Sequence, residues 1–547
     1  MMPSTPWWKA ATGYQIYPRS FCDSNGDGIG DIPGIISKLE HLQDLGIGFI
    51  WLSPVYASPM RDNGYDISDY YAIAPEFGTL ADFDKLVVEA RKRDIRIVMD
   101  LVVNHCSSDH DWFQKACASR DCPEHDLFYW RDPSSENAGP PDDQRACFGG
   151  SAWTWVEAVE RYYLGFFGPQ QPDLNWHNAQ LRQKIYRMMN WWLDRGIGGF
   201  RMDVIELIGK DVDYRLYFEG PDMHRFIQEM HRNTLAGRDV MSVGESWSVT
   251  PTTALEYCAK YRKELDMVFN FNHIEAAWDP LKGRFGPSQF NLITHKKIMN
   301  DWQSALANDG WNSLYLSNHD LPRPVSHYGD DGLYRERSAK MLAMVTYLMK
   351  GTPFVFQGEE IGMTNVTYER IDQFRDIETL GQYQDRMLAG ESEADFIAAA
   401  NENGRDNART PMQWDATDRA GFSKGEPWID VNSNYVDVNV ARDRANPNGI
   451  FQFYQRLIAL RRSSVVIQEG RYTPLLNEHA QIFAYSRQLG EEQVIVIANF
   501  SDQVVSIETP AALHKAADTL LANMAVQAMH TDTIELAPYQ AFAHGVR

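Results

Sequence analysis

Four apolar runs of the chain end in residues able to exchange protons or hold charge. DLVVNH (residues 100–105) closes on Asn104 and His105, GFRMDVI (199–205) carries Arg201 and Asp203, VGES (243–246) carries Glu245, and SNHD (317–320) carries Asn318, His319 and Asp320. A charge buried without a partner is costly, so acids, histidines and an arginine at the ends of apolar strands read as a working group rather than as packing. A second pattern lies nearer the start. DSNGDGIGD (23–31) sets Asp23, Asn25, Asp27 and Asp31 at alternate positions, with Ile29 offering its carbonyl and glycines at the sharp turns, as loops that bind hard cations do. The twelfth position is Gly34 where a complete helix-loop-helix calcium loop has Glu, so Asp31 would have to coordinate directly. A structural Ca2+ is expected there, and no organic cofactor.

For the four motifs to meet, the strands that carry them must lie side by side and point the same way. Short β-branched or apolar runs recur at 14–17, 49–52, 95–103, 199–204, 240–244, 267–271, 314–317 and 353–357. Between them, 32–45, 80–93, 181–195, 224–235 and 335–349 repeat apolar residues at threes and fours, the helical period. This alternation predicts an α/β fold with a closed (β/α)8 barrel, whose strands converge at their C-terminal ends on one mouth. The motifs then end strands three, four, five and seven.

The stretch between strands three and four is far longer than one βα unit needs. Rich in Trp, Pro, Gly and Asp, it predicts a loop-rich subdomain inserted at 106–175. A helical insertion is expected at 364–410, after the eighth strand. Beyond Arg462, period-two runs at 482–485, 493–500 and 504–509 predict an antiparallel β-sandwich. The barrel is assigned to 1–105 and 176–465, and the C-terminal domain to 466–547.

Lys and Arg number 52 against 74 Asp and Glu, a net charge of −22, which repels phosphate backbones and anionic lipid and argues against a nucleic-acid or membrane partner. A small neutral or cationic ligand is favoured. The first residues, MMPSTPWWKAATGYQIYPRSF, show no basic segment followed by an apolar one, and no run is long enough to span a bilayer. A cytoplasmic protein is expected, as a monomer or weak homodimer. The six cysteines all fall in the first half, in no zinc spacing, and are read as reduced thiols.

Taken together, DLVVNH, GFRMDVI, VGESW and NHD, with QPDLNW (171–176), DNGYDI (62–67) and DNARTPMQW (406–414), resemble the α-amylase superfamily of glycoside hydrolases over essentially the whole chain. The likeness is to its oligo-1,6-glucosidase and dextran-glucosidase branch. It implies Asp203 as nucleophile, Glu245 as general acid then base, and Asp320 as a third carboxylate that grips sugar hydroxyls. Cleavage through an oxocarbenium-like state needs one ionised carboxylate beneath the anomeric carbon and a protonated one beside the leaving oxygen. Arg201 would keep Asp203 ionised, and burial would keep the proton on Glu245.

The resemblance further implies that His105 and His319 bind hydroxyls of the cleaved sugar and that Tyr65 stacks under its ring. Asp62 paired with Arg409 would seal the pocket behind a single terminal glucose, giving exo action. Phe148 and Gln171 complete the implied substrate-binding set. Val204, directly after the nucleophile, accompanies α-1,6 specificity in this family, and Trp247 resembles a platform for the second sugar. The expected function is a retaining, exo-acting α-glucosidase on α-1,6-linked isomalto-oligosaccharides and short dextrans, with glucosyl transfer as a side reaction.

FNFNHI (269–274) departs from the FQFEH of many oligo-1,6-glucosidases and approaches trehalose-6-phosphate hydrolases. An α-1,4-glucosidase of maltase or sucrase type and a trehalose-6-phosphate hydrolase are therefore the alternatives, and Lys282, Arg284 or Lys296 would serve a phosphate. Sucrose isomerases carry an RLDRD-type segment that is absent here. A non-catalytic binding subunit would have lost the three acids, all of which are present.

Overall fold

The computed structural model describes residues 6–135, 139–510, 513, 517–526 and 532–546. Eight parallel strands form one sheet: β1 (Gly13–Ile16), β2 (Phe49–Leu52), β3 (Arg96–Leu101), β4 (Gly199–Met202), β5 (Met241–Glu245), β6 (Met267–Phe269), β7 (Ser313–Tyr315) and β8 (Thr352–Phe356). Their order is β6-β5-β4-β3-β2-β1-β8-β7, the sequential ring of a (β/α)8 barrel. Between β6 and β7 side chains take over from the ladder: Ser313 Oγ donates to the Val268 carbonyl at 2.9 Å, and the Tyr315 hydroxyl donates to that of Asn270.

The strands are buried on both faces, as parallel sheets covered by helices must be. Aromatic rings fill the interior. Phe269 stands 5.5 Å from Trp51 and 4.7 Å from Phe354, and Phe354 stands 5.3 Å from Phe49. Gly13 is required beneath them, because a Cβ there would lie 2.3 Å from the Phe49 ring.

Helices wrap the barrel where the 3.6 period predicts them. Leu80–Arg91 starts on a Thr79/Asp82 capping box and buries Phe83, Leu86, Val87 and Ala90; Ala179–Asp194 starts on Asn178. Two expected helices are interrupted. The segment 32–45 breaks into Ile32–Ser37 and Leu39–Leu45, where the Ser37 hydroxyl donates to the Gly34 carbonyl at 2.6 Å and competes for the acceptor that Lys38 N–H would use. Met223–Met230 continues as a π turn, His231–Leu235.

Between β3 and β4 the chain forms a helix, Asp111–Ala118, and a three-stranded antiparallel sheet of Trp130–Arg131, Arg161–Leu164 and Trp153–Val156. A bridge from His105 to Asp173 ties its return to the chain just past β3, and one from Phe128 to Leu174 ties the return to the insertion itself. After β8, helices Ile377–Leu388, Glu393–Asn403 and Asp406–Arg409 are present, with a small core of Phe285, Tyr368, Phe374 and Phe396.

The C-terminal region is two-layered. Strands β9 (Arg471–Leu475), β10 (Ile482–Leu489), β11 (Glu492–Asn499), β13 (Ala517–Ala522) and β15 (Ala541–Val546) form an antiparallel sheet, and β12 (Val505–Glu508) pairs with β14 (Thr533–Leu536). Alternate residues serve different cores. Ile482, Ala484, Ile495 and Ile497 pack between the layers, whereas Phe483, Tyr485, Val494 and Val496 join the barrel core. Helix Val465–Glu469 straddles the expected boundary at residue 466. All six cysteines are free, and among the described residues no helix is long and apolar enough to cross a membrane.

Candidate active site

The register of β3 against β4 sets Asp100 beside Arg201, and β5 runs along the other side of β4. Arg201 therefore reaches three acids at the barrel mouth. Its Nη1 lies 2.8 Å from Asp100 Oδ1 and 2.9 Å from Asp203 Oδ1, and its Nη2 lies 2.5 Å from Glu245 Oε2. The second oxygen of Asp100 accepts from Trp51 Nε1 at 3.0 Å and from the Tyr65 hydroxyl at 3.1 Å, which fixes the guanidinium from behind.

One cation cannot neutralise three buried carboxylates. Burial pushes Asp203 well above the usual carboxylate range; Arg201 opposes this and the Glu245 charge reinforces it. Glu245 is also raised by burial, against Arg201 and with the help of Asp320. Both carboxyls are thus shifted in the same direction as a coupled pair, and the pull of Arg201, expected to keep Asp203 in the ordinary carboxylate range, is outweighed by burial. Glu245 Oε2 is occupied by Arg201 and by the Val204 N–H at 3.1 Å.

That Val204 contact needs an unusual backbone. Val204 sits at φ +34°, ψ +46°, a left-handed conformation that a β-branched residue adopts only under strain. The turn turns its N–H toward Glu245, and two residues later Glu206 holds the loop that follows β5. Glu206 accepts from Ser246 Oγ and Trp247 N–H at 2.8 Å, from Ser248 N–H at 2.9 Å and from the Ser248 hydroxyl.

The opposite wall is rich in cations. Asp320 lies 2.8 Å from Arg409 Nη2, 3.3 Å from Arg405 Nη1 and 3.1 Å from His319 Nε2. Burial would raise it, but the charges of the two arginines, with the hydrogen bond from His319, outweigh burial and hold it below the usual range. Gln15 Nε2 donates to His319 Nδ1 at 2.8 Å, assigning the ring proton to Nε2, which faces Asp320. Burial brings both His319 and His105 down to about 3, so both rings are neutral. Tyr65 stacks on His319 at 5.1 Å.

The expected pairing of Asp62 with Arg409 is not formed. Asp62 faces Arg405, with Nη2 to Oδ1 at 3.6 Å, and accepts from Gln171 Nε2 at 2.9 Å. Arg405 and Arg409 stand one helical turn apart and share Asp376, at 2.6 and 3.4 Å. Arg409 is committed deeper, to Asp320 and to the His319 carbonyl at 3.1 Å, and Arg405 alone extends over Asp62. Burial raises Asp62 to about 7 against the pull of both arginines.

A cavity of about 320 Å³ opens among these groups, walled by Asp62, Tyr65, His105, Phe148, Asp203, Val204, Glu245, Trp247, His319 and Asp320. Gln171, Arg201 and Arg409 lie buried behind this wall and act on it through hydrogen bonds. Trp247 stacks on Phe271 at 3.8 Å and presents its other surface to the cavity. Sequence reasoning missed Arg405, Glu206, Phe166, Phe167, Phe218, Glu275, Trp278 and Glu378 in this wall. Only Arg405 had a local signal, one residue ahead of DNARTPMQW.

The loop at 23–31 is closed by its own donors. Asp23 accepts from the N–H groups of Asn25, Gly26 and Gly28 and from Ser423 Oγ, Asn25 Oδ1 accepts from Asp27 N–H, and Asp27 from Ile29 N–H. Asp31 caps helix Ile32–Ser37 through Gly34 N–H at 2.6 Å and holds Ser24. Among the described residues no three His, Cys, Asp or Glu side chains converge as a metal-ligand set.

A (β/α)8 barrel whose mouth sets two carboxyl groups on one guanidinium, inside a pocket lined with aromatic rings and hydroxyl-binding groups, defines a carboxylate-dependent glycoside hydrolase. Residues 15–470 match the α-amylase catalytic-domain family, and 472–542 match the maltogenic amylase C-terminal domain, so the chain belongs to the α-amylase family. It is 50% identical to a palatinase of Erwinia rhapontici and 47% identical to an oligo-1,6-glucosidase of Parageobacillus thermoglucosidasius, in each case over 99% of both chains. Among solved structures, a trehalose-6-phosphate hydrolase of Bacillus licheniformis superposes with a TM-score of 0.94 at 41% identity, covering 99% of this chain and 100% of that one. The protein is an α-glucosidase-type glycoside hydrolase acting on a small carbohydrate.

Proposed function

We propose that the enzyme removes terminal α-1,6-linked glucose from isomalto-oligosaccharides and short dextrans, with retention of configuration. Asp203 attacks the anomeric carbon while Glu245 protonates the departing oxygen. Glu245, now ionised, then takes a proton from water as the water attacks the glucosyl ester, and α-glucose leaves. A second sugar in place of water gives glucosyl transfer. Asp320, kept ionised by its arginines, accepts from sugar hydroxyls, and His105, His319 and Tyr65 shape the same subsite. Asp62 with Arg405 closes its far end, which favours exo action.

The observation that carries this reading is the seating of Asp203 and Glu245 on neighbouring nitrogens of Arg201. That spacing favours the retaining arrangement, in which the carboxyls stand about 5–5.5 Å apart rather than the ~6.5–9.5 Å of inverting enzymes. Val204 in the cavity wall and the relatives named for α-1,6 cleavage support the linkage. Initial rates on isomaltose, isomaltotriose, dextran, maltose, sucrose and trehalose test it. The α-1,6 substrates should lead by at least tenfold in kcat/KM, about 1.4 kcal/mol. A lead for maltose would overturn the linkage, and no hydrolysis of any would overturn the enzymatic assignment.

The loop at 23–31 supports a second, separate proposal, a structural Ca2+ held by Asp23, Asn25, Asp27, the Ile29 carbonyl and Asp31. Its support is the alternating oxygen pattern. Exhaustive chelation should then lower Tm and Ca2+ should restore it, because a ligand bound to the native state stabilises it by mass action. An unchanged Tm would overturn it.

A further inference from the structure

The leaving-group side of the cavity is acidic in a way that the proposed reaction does not require. Trp247 and Trp278 stack at 5.8 Å, and the Arg284 guanidinium lies over Trp278 at 5.1 Å. Arg284 is the one cation of the phosphate-binding candidates that reaches the cavity, and it is already matched: its Nη1 lies 2.8 Å from Glu378 Oε2. The other two are engaged elsewhere. Lys282 pairs with Glu391 at 2.6 Å, and Lys296 donates to the carbonyls of Leu476, His479 and Ile482 at 2.8, 2.7 and 3.0 Å.

Against this single matched cation stand two further carboxylates, Glu275 and Glu206, neither of which forms a salt bridge among the described residues. Glu275 ends the one-turn helix Asn272–Glu275, lines the cavity, is exposed, and makes no side-chain hydrogen bond or ion pair among the described residues. Glu206 also lines the cavity, and it accepts from the Ser246 and Ser248 hydroxyls and from the Trp247 and Ser248 backbone N–H groups. A neutral sugar over the two indoles meets hydroxyl-accepting carboxylates. Burial raises Glu275 to about 7, with Glu206 reinforcing the shift and Arg284 opposing it, so above that pH a phosphate there meets added like charge that Arg284 alone offsets.

We propose that this subsite selects uncharged leaving groups and refuses phosphorylated ones, with Glu275 enforcing the refusal. The proposal rests on the glucosidase reading above and concerns the leaving group alone. It separates this chain from the trehalose-6-phosphate hydrolases that it resembles in overall structure.

A matched pair of phenyl α-glucosides tests it, one with a para-hydroxymethyl group on the ring and the other with the phosphate ester of that group. At pH 8 and low ionic strength the neutral compound should be favoured at least tenfold in kcat/KM, and Glu275→Gln should narrow that ratio at least threefold. Added salt should narrow it in the wild-type enzyme as well, since screening weakens the repulsion. Equal or faster cleavage of the phosphate ester would overturn the proposal, and a ratio unmoved by Glu275→Gln would remove Glu275 from it. If neither glucoside is cleaved, the glucosidase reading itself fails, and this proposal with it.

Discussion

The floor and the wall of this pocket hold the same side-chain type in opposite electrostatic settings. At the floor, Asp100, Asp203 and Glu245 share one guanidinium, and burial drives Asp203 and Glu245 upward. At the wall, Asp320 and Asp376 share Arg405 and Arg409, and Asp320, which keeps somewhat more solvent contact than Asp203 or Glu245, is driven down. The ratio of cations to carboxylates sets the direction of the shift in each region. A site that must both deliver a proton and keep a hydroxyl-gripping anion ionised needs both settings a few ångströms apart.

The largest test of this contrast is activity. Asp203→Asn should lower kcat by more than about 10⁴-fold, since an amide cannot form the glucosyl ester, whereas Asp320→Asn should cost roughly 10²–10³-fold, the scale of losing one preorganised electrostatic contact. Comparable losses would erase the distinction between the two roles. Stability should move in opposite directions for the same pair of substitutions. A carboxyl raised in the folded state costs stability as pH climbs above the unfolded value near ~4, so Asp203→Asn should raise Tm by about 1–3 °C at pH 7–8, with the gain vanishing toward pH ~4. A carboxyl lowered in the folded state contributes stability above that value and loses it as pH falls below it. Asp320→Asn should therefore lower Tm at neutral pH and matter little under acid conditions. Shifts of the same sign in both variants would mean that the two regions are electrostatically alike.

Much of the frame was legible in the sequence because parallel strands buried on both faces read as continuous apolar runs. All eight were expected within a few residues of where they lie, and the titratable residues just past their ends converge as barrel geometry dictates. What was not legible is long-range. Arg405 and Arg409 share one helical face, so spacing could not say which would reach Asp62, and the expected choice of Arg409 was reversed by its commitment to Asp320. Glu206, Phe218, Glu275 and Glu378 enter the cavity from short helical turns, a loop and an inserted helix whose approach is set by tertiary packing, and no local pattern marks them. The break at Lys38 was hidden for a different reason: a single hydroxyl, that of Ser37, competes with the helix for one carbonyl.

The central claim is that Asp203 and Glu245 act from opposite sides of one glycosidic bond, in two displacements. NMR of the first sugar released from an aryl α-glucoside, recorded before mutarotation, tests it most directly. The account predicts α-glucose as the initial product; β-glucose appearing first would contradict it.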